Sequence, residues 1–138
     1  MIYNNDDTES RNIAKEFFNE KFNLVLKDLP EFHEFDLKDG INKFVVEVKQ
    51  LNINLLGFPS LMFGYNKYLK ARGYKKRDYR VFILFICLDG IFYHEYNNEV
   101  YKPVKAGRKD RQKAEIKDYI FIDKNKFEKI DYSQELDF

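Results

Sequence analysis

The chain has 138 residues, 44% of them hydrophobic and 34% charged, which fits one folded domain and excludes a disordered chain. The longest strongly apolar run, Val81 to Leu88, is far shorter than the roughly 20 residues that span a bilayer. The first ten residues lack the basic and apolar pattern of a signal sequence, so we expect a soluble, cytoplasmic protein without a membrane partner. A single cysteine, Cys87, and two histidines exclude an internal disulfide and argue against a zinc site.

The net charge is only +1, but the charges are unevenly distributed along the chain. Residues 1–64 contain 7 basic and 11 acidic residues, residues 65–117 contain 14 and 6, and residues 118–138 contain 3 and 6. Such a distribution would suit an acidic metal-binding half that faces a basic, polyanion-binding half. A folded surface with mixed charge patches is the commoner explanation, so the motifs must decide.

The N-terminal quarter predicts a helix followed by a short extended piece. Thr8 or Ser10 can cap this helix, and its apolar residues recur at helical spacing at positions 13, 17, 18 and 22. The extended piece, Leu24 to Leu26, leads to Pro30.

The segment FHEFDLKDGINKFVVEVKQ predicts two strands joined at Asp39-Gly40, a dipeptide that favours hairpin turns. Because side chains alternate along a strand, the second strand has two different faces. One face carries Phe44, Val46 and Val48, and the other carries Val45, Glu47 and Lys49. Two charged side chains therefore point the same way from a strand that is otherwise apolar.

The second half of the chain predicts one helix and three further strands. The helix is expected from about Pro59 to Arg72, with proline in its first turn and Gly73 as its C-terminal stop. The predicted strands are YRVFILFICL, IFYHEY after the Asp89-Gly90 turn, and DYIFID, with KPVKAGRKDRQK as a loop or frayed helix before the last. The order α-β-β-β-α-β-β-loop-β predicts a single α/β domain, residues 1–138, with a central mixed sheet flanked by helices.

The pattern acid-x-Lys occurs three times in the chain, at Asp36, Glu47 and Glu115, which is roughly what chance gives for this composition. The context of the three occurrences separates them. Only Glu47-Val48-Lys49 lies in an alternating apolar strand, with another acid on the preceding strand and with a helix and the core strand behind it. Paired carboxylates are what Mg²⁺ needs, and a neighbouring lysine can orient an attacking water.

Asp36, ten intervening residues and then Glu47-Val48-Lys49 resemble the D…ExK signature of the PD-(D/E)xK nuclease superfamily. The opening of the first helix, Glu9-Ser10-Arg11-Asn12-Ile13, is similar to the start of the archaeal Holliday-junction resolvases. The resemblance covers roughly residues 8–50. It implies a restriction-endonuclease-like fold with an αβββαβ core and a metal-dependent nuclease that hydrolyses phosphodiester bonds in DNA.

The resemblance also implies a role for each residue of the motif. Asp36, Glu47 and the carbonyl of Val48 would bind Mg²⁺, for which Mn²⁺ can substitute, and Lys49 would position the water. Glu9 would complete the site directly or through water. Glu16 and Glu20 are its rivals, because all three fall near one helical face.

Two basic clusters are candidates for binding nucleic acid, since lysine and arginine side chains grip phosphates. The first cluster is interleaved with tyrosines, which can stack on bases or simply pack, and its basic residues also complement a helix dipole. The candidates are Lys67, Lys70, Lys75, Lys76 and Arg77, and then Lys105, Arg108, Lys109, Arg111 and Lys113.

The sequence leaves three kinds of function open. The first is the metal-dependent nuclease, with duplex, single-stranded, branched or RNA substrates all allowed, and with a homodimer as one expected form. The second is a non-catalytic nucleic-acid-binding or assembly module that has kept the nuclease fold. The third is an interaction protein in which the motif is a coincidence.

Overall fold

The computed structural model describes residues 2–30, 35–106 and 117–130. The described chain forms a single α/β unit with a mixed sheet and two helices, which confirms the predicted class. The helices are α1 (Ile2–Phe22) and α2 (Tyr65–Lys76). The strands are β1 (Lys27–Asp28), β2 (Leu37–Asp39), β3 (Phe44–Gln50), β4 (Ser60–Gly64), β5 (Arg80–Cys87), β6 (Gly90–Tyr96), β7 (Val104–Ala106), β8 (Lys117–Asp123) and β9 (Glu128–Ile130).

Six strands form the main sheet, in the order β1-β2-β3-β5-β6-β9. The central pair, β3 and β5, is parallel, and every other pair in this sheet is antiparallel. A second sheet of three antiparallel strands has the order β4-β8-β7. The polypeptide between β3 and β5 contains β4 and α2, which is the long crossover that a parallel pair requires.

The two faces of the main sheet bury two separate apolar clusters. On one face, Phe17 and Phe18 of α1 pack against Val46, Phe82 and neighbouring residues of the sheet. On the other face, α2 and the small sheet cover a cluster with these members: Val45, Val81, Ile83 and Phe85 of the main sheet, Tyr68, Ala71 and Tyr74 of α2, and Leu61, Phe63, Ile120 and Ile122 of the small sheet. The alternation predicted for β3 is confirmed, because Val46 and Val45 lie in different clusters.

Helix α1 runs antiparallel to β3. Ser10, near the middle of the helix, hydrogen-bonds Gln50 at the last position of β3, whereas Phe22, at the end of the helix, contacts Phe44 at the first position. The helix ends where Asn23 adopts a positive φ of 57°, a conformation that asparagine tolerates, and Leu24 N donates to Phe18 O.

The predicted start of the first helix was wrong. The helix begins at Ile2, so Thr8 and Ser10 lie inside it and neither caps it. Ser10 is buried, and its hydroxyl donates to the side chain of Gln50. The serine was read as a cap because caps and tertiary hydrogen bonds use the same hydroxyl.

The predicted limits of the second helix were also wrong. Residues 60–64 form strand β4, in which Leu61 and Phe63 are buried and Met62 is exposed, the period-2 alternation of a strand. The helix starts only at Tyr65 and continues through Gly73 to Lys76. Burial of Tyr74 in the core outweighs the weak helix propensity of Gly73.

The hairpin turns were predicted correctly, and the structure shows how the first is held. Asp39 Oδ1 accepts the amides of Ile41 and Asn42 at 3.1 and 2.9 Å, and Oδ2 accepts the amide of Val25 at 3.2 Å. These donors lower the pKa of Asp39, with the backbone of Asn42 as the largest cause.

The predicted loop or frayed helix at residues 102–113 includes strand β7, and the strand β9 was not predicted. Residues 107–113 of that stretch lie outside the described chain. Extended residues Leu24 to Leu26 were expected to form the piece after α1, whereas the strand there is β1, Lys27–Asp28. No helix in the described parts of the chain is long and apolar enough to cross a membrane.

Candidate metal site at the end of strand β3

Asp36 and Glu47 are brought together by the pairing of β2 with β3. Leu37 is the register partner of Val46, and the amide of Asp36 donates to the carbonyl of Val46 at 3.2 Å. The amide of Val48 in turn donates to Asp36 Oδ2 at 2.8 Å. The carboxylate of Asp36 is therefore tied to the strand between Glu47 and Lys49, as the predicted hairpin requires.

Glu47 is an acidic side chain in the interior, with 1% of its surface exposed. Burial is the largest cause that raises its pKa, to about 8, and the negative charge of Asp36 is the next. The ammonium of Lys67 acts in the opposite direction but does not cancel these effects. At neutral pH the metal-free site therefore keeps a proton on Glu47 in most molecules.

Lys67 is the cation that meets this buried acid. It is the third residue of α2, 29% of its side chain is exposed, and its Nζ donates to Glu47 Oε2. The other oxygen, Glu47 Oε1, is buried and has no hydrogen-bond partner in the described chain. A buried carboxylate oxygen without a partner is costly, and it is the kind of atom that a bound ion would satisfy.

Lys67 was predicted as a nucleic-acid contact and not as part of the acidic site. Its contact with Glu47 joins residues 20 positions apart. The one available signal was the alternation of Leu61, Met62 and Phe63, which marks a strand and moves the start of the helix to Tyr65. With that start, Lys67 falls in the first helical turn.

Lys49 shares the face of Glu47 and is partly buried. Its register partner on β5 is Phe85, and Glu47 pairs with Ile83 in the same ladder. Within residues 2–30, 35–106 and 117–130, no acidic side chain forms an ion pair with Lys49. The two lysines near Glu47 are therefore in different states, since only Lys67 is paired with it.

Glu9, Glu16 and Glu20 are all exposed on α1, which covers the opposite face of the main sheet from Glu47. Glu9 directly precedes Ser10, whose hydroxyl donates to Oε1 of Gln50 at 2.9 Å, at the last position of β3 and three residues beyond Glu47. At 1.5 Å per residue, Glu16 and Glu20 lie about 10 and 16 Å further along the helix, toward the other end of β3. Glu9 is thus closest to the Lys49 end of the strand, Glu16 lies nearer the level of Glu47, and no contact between described residues joins any of the three to Asp36 or Glu47.

The remaining basic candidates are only partly described. Lys70, Lys76 and Arg77 are exposed on or just after α2, and Arg77 also covers the ring of Tyr74 at 4.7 Å. Lys105 lies 3.5 Å from the carboxylate of Asp118. Lys75 is partly buried. The other four candidates, Arg108, Lys109, Arg111 and Lys113, lie outside the described residues.

Among the described residues, no group of three or more histidine, cysteine, aspartate or glutamate side chains is placed to hold a metal ion. The acidic centre that the fold does build is a pair, Asp36 and Glu47, with Lys67 beside it. Comparison with protein-family models, curated proteins and solved structures finds no match for this chain.

Proposed function

We propose that this α/β domain is a metal-dependent nuclease of restriction-endonuclease-like fold that hydrolyses phosphodiester bonds in DNA. The observation that carries the proposal is the buried Glu47 carboxyl, whose Oε1 has no hydrogen-bond partner in the described chain and which lies close enough to Asp36 for that charge to raise its pKa. A fold that needed only stability would place an apolar residue at this position, because burying two acids together is unfavourable.

The residues present fit a hard divalent cation. Mg²⁺ takes oxygen ligands and is usually held by one or two carboxylates, with water and substrate phosphate completing its shell. Asp36 and Glu47 would hold the ion, with the carbonyl of Val48 and, directly or through water, Glu9 as further ligands. When bound, Mg²⁺ or Mn²⁺ would neutralise charge on the phosphate and lower the pKa of a bound water.

The protein side chains contribute orientation and charge. Lys49 shares the face of Glu47 and can hold the attacking water and offset negative charge that develops on the phosphate. The amide of Val48 holds the carboxylate of Asp36 beside β3 through its 2.8 Å hydrogen bond. Exposed lysines of α2, such as Lys70 and Lys76, would contact the phosphates that flank the cleaved bond. Duplex DNA gripped by so small a domain favours a homodimer.

One observation favours a second function, a non-catalytic nucleic-acid-binding or assembly module. Lys67 already provides Glu47 with a positive charge, so the site has a counter-ion without any metal. In a module of this kind the acid and the lysine would be a fixed structural pair. Binding to DNA would then depend on salt, with no cleavage in any divalent metal.

A panel of labelled substrates separates the two functions. Duplex, single-stranded, branched and RNA substrates should be incubated with Mg²⁺ or Mn²⁺ and either the unmodified protein or Glu47→Gln. We expect metal-dependent cleavage of at least one DNA substrate, lost in Glu47→Gln and retained in the control Lys117→Ala. This control removes the lysine of another acid-x-Lys match, which is exposed at the start of β8. Salt-sensitive binding without cleavage by the unmodified protein would support the binding module instead.

A further inference from the structure

The site contains a cation that the D…ExK motif does not include. Lys67 comes from α2, whereas Asp36, Glu47 and Lys49 come from the β2-β3 hairpin. Its ammonium donates to Glu47 Oε2, and the same carboxyl group presents the unpartnered Oε1. A candidate metal ligand is thus bonded through one oxygen to a lysine and lies beside the carboxyl group of Asp36.

The electrostatic balance of the site explains why a lysine is useful there. Removing the neighbouring cation from a buried carboxylate is strongly unfavourable, since water does not solvate the charge and nothing replaces the water. Asp36 adds a second negative group beside Glu47. Without a metal, the ammonium of Lys67 donates to the Glu47 carboxyl group and offsets part of the negative charge of the acidic pair.

The chemistry of lysine allows this compensation to be temporary. The ammonium is a compact charge on a flexible four-carbon stem, so it can leave Glu47 without any movement of α2. The side chain of Lys67 is 29% exposed, so its ammonium has access to solvent, whereas Glu47 has almost none. A divalent ion bound to the same carboxylate would place two positive charges beside this ammonium and would repel it.

We propose that Lys67 is a built-in counter-ion of the metal site, which holds Glu47 when the site is metal-free and is displaced from it by the divalent cation. This inference rests on the proposed function and adds a residue from α2 to it. Lys67 is a positioning residue in this account. It holds the Glu47 side chain in position in the metal-free protein, and it competes with the metal for Glu47.

Nuclear magnetic resonance of the lysine side chains tests the displacement directly in the full-length protein. Lys67→Arg identifies the Lys67 ammonium signal, and Lys70, exposed one turn further along α2, serves as the internal control. Addition of Mg²⁺ should shift or broaden the Lys67 signal saturably, with the amide of Val48 changing at the same metal concentration. The Lys70 signal should not change, and Glu47→Gln should abolish the effect at Lys67.

Two results distinguish the failure of this inference from the failure of the proposed function. If the Val48 amide responds to Mg²⁺ while the Lys67 signal stays as it was, the metal site exists and the displacement is wrong. If neither signal responds to Mg²⁺ or Mn²⁺, the metal site itself is absent and both proposals fall.

Metal affinity provides a second test that does not depend on catalysis. In Lys67→Met the competing charge is gone, so we expect Mn²⁺ to bind at least tenfold more tightly than in Lys67→Arg, measured by calorimetry in alkaline buffer where Glu47 has lost its proton. Lys117→Met, at an exposed lysine of β8, should bind Mn²⁺ like the unmodified protein. Equal affinities in Lys67→Met and Lys67→Arg would overturn the competition.

Discussion

The backbone amide of Val48 donates a 2.8 Å hydrogen bond to Oδ2 of Asp36, which ties an acid at the start of β2 to the strand that carries Glu47 and Lys49. This bond orients Asp36 without using any other side chain. Asparagine can accept the same bond through its carbonyl oxygen, so the charge of Asp36 can be removed while its position is preserved.

Asp36→Asn should therefore fold normally and lower the pKa of Glu47 from about 8, because the negative charge of Asp36 is the second largest cause of that elevation. Carbon-13 resonance of the Glu47 carboxyl during a pH titration measures this. The control is Glu95→Gln, which removes an acid paired with Arg80 and should leave the Glu47 titration unchanged. An unaltered titration in Asp36→Asn would mean that the two carboxyl groups do not interact.

The stability of the metal-free protein should fall as pH rises from about 4.5 to about 8. Within that window the unfolded chain has released the proton of Glu47 and the folded protein still holds it, so folding becomes less favourable with increasing pH. Glu47→Gln carries no such proton, so between the two ends of the window its free energy of unfolding should rise by about 4 kcal/mol relative to that of the parent protein. Urea unfolding at several pH values gives the free energy of unfolding as a function of pH for the parent protein and for Glu47→Gln. Parallel curves would contradict the buried, proton-retaining state of Glu47.

Glu9 should matter more for cleavage than Glu16 or Glu20. Ser10 places this part of α1 beside Gln50, at the end of β3 where Lys49 lies, and the other two acids lie further along the helix toward Phe44. We expect Glu9→Gln to reduce kcat/KM by about tenfold, on the order expected for a ligand that acts through water. The matched variants Glu16→Gln and Glu20→Gln should remain within about twofold. A larger loss in either of these would assign the role to that residue.

Asp39→Ala should destabilise the protein by about 2 kcal/mol, because it leaves the amides of Val25, Ile41 and Asn42 without their acceptor. Since the pKa of Asp39 is lowered in the folded protein, its contribution is present above the unfolded pKa of about 4 and is lost as the pH falls below it. Thermal unfolding at neutral and acidic pH measures both effects. Asp28→Ala, an exposed acid paired with Arg11 and Lys15, should cost less than 1 kcal/mol.

The features that were predictable from the sequence depend on local patterns. The turn at Asp39-Gly40 and the alternation around Glu47 are set by neighbours in the chain, and both are present in the structure. The strand β4 was missed because Pro59 and the apolar residues after it also fit a helix start, and only its pairing with β8 decides between the two.

The properties that make Glu47 a candidate ligand could not be predicted. An acid on one face of a strand is usually exposed, and Glu47 is buried only because β4, α2 and β8 cover that face. The contact with Lys67 likewise depends on where α2 lies, 20 residues away in sequence. Long-range packing, and not local propensity, thus determines the charge state of the site.

Cleavage of DNA by Lys49→Met in Mg²⁺ is the most direct test of a nuclease site on β3. Lys49 forms no ion pair within the described chain, so its loss should leave folding and metal binding intact while it removes the group that orients the attacking water. We expect a single-turnover rate at least about 100-fold below that of the unmodified protein, with the rate of Lys38→Met, the same change in another acid-x-Lys match, close to normal. Equal cleavage rates in Lys49→Met and the unmodified protein would contradict this site.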